Sequence, residues 1–81
     1  MNNFHINIVS IDNREPYIQI DFEDIVNKDV IKTHLNSLGY IYKANVNDDN
    51  YGKVRAIAYL HDDTENVNEI VDKIKEYLNR L

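Results

Sequence analysis

The sequence predicts a two-layer α+β domain of ββαββα order, with a mainly antiparallel four-stranded sheet and two helices packed on one of its faces. Three observations predict it. The 81 residues read as one strand–turn–strand–helix unit written twice, over about 4–38 and 40–81, with Gly39 between the copies. In each copy an extended pattern of period two gives way to apolar residues at helical spacing. Two amphipathic helices need one sheet face between them, which leaves the opposite face open.

The first strand is expected over His5–Asp12 (HINIVSID), which is rich in β-branched residues. Its facing is ambiguous, because Phe4, Ile6 and Ile8 oppose Val9 and Ile11. Asn13-Arg14-Glu15-Pro16 reads as a turn, since Asn favours turn starts and Pro has no N–H for a sheet ladder. Tyr17–Glu23 (YIQIDFE) alternates strictly: Ile18, Ile20 and Phe22 on one face, Tyr17, Gln19, Asp21 and Glu23 on the other.

The first helix is expected to start near Asp24 or Asn27, both good caps, with Val26, Val30, Ile31, Leu35 and Leu38 as its buried stripe. His34 falls at the edge of that stripe as a partly buried structural residue. Ser37-Leu38-Gly39-Tyr40 predicts a stop in which Gly39 takes the left-handed conformation.

The second hairpin is expected from Tyr40–Val46 (YIYKANV) and Lys53–His61 (KVRAIAYLH), joined by the loop Asn47–Gly52. Val54, Ala56, Ala58 and Leu60 belong to the core face, where the small alanines let a helix approach closely. Arg55, Ile57, Tyr59 and His61 belong to the open one. The facing of Tyr40–Val46 is ambiguous. Asp62–Asn66 opens the last helix, whose stripe is Val67, Ile70, Val71, Ile74, Leu78 and Leu81. Glu69 with Lys73, and Glu76 with Arg80, are i,i+4 pairs on its wet side. Leu35–Tyr42 (LNSLGYIY), leading into a hairpin, resembles the helix-to-strand passage of ferredoxin-like domains. The element order departs from that fold, with two strands before the first helix and none after the last, so no family follows.

Size and composition bound the function. A single domain this short buries roughly 60–65% of its unfolded surface, so a deep cleft competes with the core. With no cysteine there is no disulfide framework, thiolate zinc site or cysteine nucleophile. No apolar run approaches a membrane span, and the first residues open no signal peptide, so the expected setting is cytoplasmic without membrane association. A net charge of −5 has the wrong sign for a free nucleic-acid binder.

No motif for catalysis, metal or phosphate stands out, so neither enzyme activity nor a cofactor is expected. His61-Asp62-Asp63 has metal-ligand chemistry, but acids just ahead of a helix serve its N-terminal dipole, and capping is the expected role. Asn47–Gly52 fails the calcium-loop pattern: started at Asn47, the fifth position is Tyr51 and the twelfth Ala58.

The function expected is a non-enzymatic protein-binding module, a small acidic regulator or inhibitor of a host protein. By analogy it is of the phage or mobile-element type, with nucleic-acid mimicry as one form. The candidate contact residues are Tyr17, Asp21, Glu23, Arg55, Ile57, Tyr59, His61, Asp62, Asp63, Glu65 and Glu69. The partner expected is a protein, basic or nucleic-acid-handling. The alternatives are an assembly protein that homodimerises through the open sheet face, and a sheet domain that binds RNA or a small ligand, with Tyr17, Tyr42 and Tyr59 as stacking platforms.

Overall fold

The computed structural model describes residues 3–10, 16–24, 26–48, 51–61 and 65–80. The chain runs β1 (Phe4–Val9), β2 (Tyr17–Phe22), α1 (Lys28–Ser37), β3 (Ile41–Asp48), β4 (Val54–Leu60) and α2 (Val67–Asn79). The strands form one antiparallel sheet of order β1-β2-β4-β3. The expected α+β class and ββαββα order are therefore those of the folded chain. Ile11, Asp12 and the turn residues Asn13, Arg14 and Glu15 lie outside the described residues, as does Leu81.

The inner strands β2 and β4 come from different copies of the unit and pair antiparallel. They bring Ile18 opposite Ala58, Ile20 opposite Ala56 and Phe22 opposite Val54. Directly opposed residues share a sheet face. Ile18, Ile20, Ala56 and Ala58 are fully buried. Above them the helices close the core through Ile31 and Leu35 of α1 and Ile70, Val71, Ile74 and Leu78 of α2. Each such aliphatic side chain contributes roughly 1.5–3 kcal/mol by its burial. The helices exchange places: α1 lies against β3 and β4, and α2 against β1. Each unit's helix thus covers the outer strand of the other unit's hairpin. β4 lies between β2 and β3, so the connection through α1 spans it, a split βαβ arrangement.

Register settles the two ambiguous strands. β1 pairs Phe4 with Phe22, Ile6 with Ile20 and Ile8 with Ile18, so Phe4, Ile6 and Ile8 face the helices. In β3 a register shift between Ile41 and Lys43 puts one extra residue, Tyr42, into the strand. Ile41 and Ala44 then both point into the core although three residues apart, while Tyr42 is 71% exposed. The bulge is why this strand shows no clean alternation.

The structure decides between the two expected caps and corrects two local expectations, for Val30 and Gly39. Asn27, and not Asp24, caps α1, its Oδ1 accepting from the Val30 N–H at 3.2 Å. Val30 is 43% exposed and leaves the buried stripe to Ile31 and Leu35. Gly39 does not take the left-handed conformation. The helix ends instead through Leu38 in extended geometry (φ −79°, ψ 128°), with the Ile41 N–H donating to the Leu38 carbonyl at 3.0 Å. The left-handed glycine is Gly52, φ 78°, in the β3–β4 connection.

His34 is half-buried and stacks on Tyr77 of α2, ring centroids 3.3 Å apart and planes within 7°, which ties the two helices together. Burial holds its imidazole below its ordinary pKa, favouring the neutral ring.

The glycines give a direct check by urea unfolding. A Cβ at Gly39 meets nothing within 4 Å and no left-handed backbone, so Gly39→Ala leaves stability unchanged or slightly raised. Gly52→Ala forces an L-residue to a positive φ and lowers stability by about 1 kcal/mol.

The outer edge of β3 carries a second check. The Asn36 side chain of α1 accepts from the Ala44 N–H (3.1 Å) and donates to the Ala44 carbonyl (3.2 Å). Asn36→Ala is expected to cost about 1 kcal/mol and to speed exchange of the Ala44 amide, read by hydrogen-exchange NMR.

Candidate open sheet face

Alternation places the side chains that do not face the helices on one surface, and the register orders them in rows across the four strands. One row runs Val9, Tyr17, Tyr59, Lys43; the next Asn7, Gln19, Ile57, Asn45; the third His5, Asp21, Arg55, Asn47. Glu23 and Lys53 extend the charged end. No described helix or strand covers this surface. The face is therefore graded, aromatic at one end and ionic at the other, with Ile57 half-buried between.

At the aromatic end the rings of Tyr17 and Tyr59 lie 5.6 Å apart and tilted by 52°, a contact typical of packed aromatics. Tyr59 is 41% exposed, so this pair presents apolar area to solvent. At the ionic end Arg55 Nε donates to Asp21 Oδ1 at 2.6 Å, and Lys53 Nζ reaches Glu23 Oε2 at 3.0 Å. Gln19 Nε2 donates to Asp21 Oδ2 at 3.2 Å, and His5 Nε2 lies 3.9 Å from Glu23. Burial by itself raises the Asp21 pKa. The hydrogen bonds from Arg55 and Gln19, with the charges of Arg55 and His5, outweigh it and hold the carboxyl below its ordinary 3.8.

Of the expected contact residues, Tyr17, Asp21, Glu23, Arg55, Ile57 and Tyr59 share this face. His61 follows β4 at the sheet's end, its N–H donating to the Tyr40 carbonyl at 3.3 Å and its ring edge-on to Tyr42 at 5.7 Å. Glu65 and Glu69 belong to the helix layer. With His61, Tyr40 and Lys73 they line a shallow groove of about 450 Å³ beside the start of α2, where Glu69 pairs with Lys73 at 3.6 Å. The expected contact residues thus divide between a sheet face and a separate groove. Asp62 and Asp63 lie outside the described residues; the N-cap of α2 is Asn66, left-handed at φ 55° and without a side-chain cap bond.

The open face also holds residues that the sequence did not single out. Lys43, Asn45, Asn7 and His5 were hidden by the ambiguous strands. Lys53 was legible, being two positions before Arg55. Among the described residues the face carries Lys43, Lys53 and Arg55 against Asp21 and Glu23, so the chain's net charge of −5 is not concentrated there. No three His, Asp or Glu side chains converge on a metal-sized site among the described residues, and no helix is long and apolar enough to cross a membrane. No family model, curated protein or solved structure matches the chain.

The depressed Asp21 pKa fixes the sign of a pH effect. Its contacts stabilise the fold fully above the unfolded pKa, and that contribution is lost as pH falls through the folded value. Stability is expected to drop on acidification below about pH 4. Asp21→Asn removes part of that drop and lowers stability at neutral pH by at most about 1 kcal/mol, both read from urea midpoints across a pH series.

Proposed function

We propose that this protein works by binding and not by catalysis, gripping a protein partner with the open sheet face as a small regulator or inhibitor. The observation that carries the reading is the uncovered tyrosine pair set beside a row of fixed ion pairs. Tyrosine supplies large contact area at little cost in side-chain entropy, and aromatic residues are enriched in interface cores. The Asp21–Arg55 and Glu23–Lys53 pairs hold their charges in place before any partner arrives, which favours orientation and discrimination more than raw affinity. Such a face suits a partner surface with an apolar centre and charges of both signs.

A second reading has one observation in its favour. Lys43 stands next to Tyr59, which stands next to Tyr17, so aromatic rings and a cation share one row, as on single-strand platforms. The tilt of the tyrosines against each other counts the other way, because the rings occupy one another's flanks.

The test uses the full chain as bait in a lysate of its own host, beside three variants. Tyr59→Ala and Ile57→Asp are expected to abolish capture of the partner, while Lys75→Glu, on the exposed side of α2, leaves it intact. Equal capture by all four proteins sinks the sheet-face reading. A retardation signal with single-stranded RNA at low salt that Tyr59→Ala removes would favour the platform instead.

A further inference from the structure

We propose that β1 is a docking edge whose occupant is β1 of a second copy of this chain, paired antiparallel so that two four-stranded sheets become one. The inference does not depend on what the open face binds.

It starts from an asymmetry between the two sheet edges. The Glu23 N–H donates to the Asn3 carbonyl at 2.8 Å, which makes Asn3 and Glu23 a hydrogen-bonded pair in the β1–β2 register. Such pairs alternate along an antiparallel ladder. His5, Asn7 and Val9 therefore turn their backbone groups toward β2, and Phe4, Ile6 and Ile8 turn theirs outward. Among the described residues no hydrogen bond reaches those outward groups. The same alternation on β3 turns the groups of Ala44 and Val46 outward, and there the Asn36 amide satisfies both groups of Ala44. The Tyr42 bulge distorts the same edge, and the Lys28–Asp48 ion pair at 2.6 Å closes its far end. Bulges, charged side chains and coverings are the devices that keep sheet edges from pairing. β3 shows each of them, whereas among the described residues β1 has no bulge and no Asp, Glu, Lys or Arg.

The sequence of β1 fits a copy of itself. Of the four described strands, β1 alone has no Asp, Glu, Lys or Arg, so two chains of net charge −5 meet where like charges are fewest. Placing Ile6 opposite Ile6 of the second copy sets Phe4 opposite Ile8 and His5 opposite Asn7. Every outward N–H and carbonyl of Phe4, Ile6 and Ile8 then meets a partner across the seam. A two-fold axis normal to the sheet keeps the helices of both copies on one side. Ile8, 40% exposed in the single chain although it faces the helix layer, is covered by Phe4 of the other copy. A shift by one residue would put the apolar side chains on the wrong face, so the pattern favours this class of register.

The experiment is sedimentation velocity on the full chain over a dilution series, beside Ile8→Lys, with circular dichroism to confirm that both are folded. The expected result is a concentration-dependent dimer whose dissociation constant rises at least about tenfold in Ile8→Lys. Because the chain has no cysteine, register can be read separately. A mixture of His5→Cys and Asn7→Cys chains is expected to oxidise mainly to the mixed disulfide, since those positions face each other across the seam as a close, non-hydrogen-bonded pair. A wild-type monomer at every concentration overturns the proposal, including one whose β1 amides become protected only on adding an extended peptide. A dimer that Ile8→Lys leaves unchanged, or one that Tyr59→Ala disrupts instead, overturns it as well.

Discussion

The pairing of β2 with β4 is the contact on which the rest of this fold depends. It joins the two copies of the unit, and it places Ile18 and Ile20 against Ala58 and Ala56 with no exposed surface on any of the four. The sizes are complementary across the seam. The large side chains of β2 fill the space beneath the helices, and the alanines of β4 leave room for a helix to come close. Because each helix then crosses to cover the other unit's outer strand, neither half has a core of its own. The repeat is a repeat of elements, not of independent folding units.

The same pairing makes the candidate surface. Once β2 and β4 are adjacent, Tyr17 must meet Tyr59 and Asp21 must meet Arg55, because cross-strand partners share a face. The grading from aromatic to ionic is thus a consequence of register and not of any local motif. It also redistributes the charge. The chain is acidic as a whole, yet its open face balances Lys43, Lys53 and Arg55 against Asp21 and Glu23, so acidity does not describe the surface that is free to bind.

Most of the regular structure was legible because it follows from periodicity. β2, β4 and α2 carry clean patterns of two or 3.6 residues, and their buried sides are the ones the patterns indicate. What was not legible has a physical cause in each case. β3 hid its facing because the bulge at Tyr42 breaks the alternation. β1 hid its facing because apolar residues occur on both sides of an edge strand that is only partly covered. Val30 fits a helical stripe but lies beyond the reach of the sheet. Gly39 looked like a left-handed cap, but Leu38 had already turned the chain. For the candidate site, the β2 and β4 residues were readable, whereas Lys43, Asn45 and His5 depended on strands whose register only the folded chain reveals.

By itself the sequence determined the element order, the two-layer class, the core faces of β2 and β4 and the buried side of α2, because each depends on interactions within a few residues along the chain. Only the tertiary structure decided which helix covers which hairpin, which side chains of β1 and β3 join the open face, and how the outward groups of each edge are met. The clamp of Asn36 on Ala44 meets the outward groups of one β3 residue, while among the described residues no hydrogen bond reaches those of Phe4, Ile6 and Ile8. These features are set by register and packing, and local pattern carries no record of either.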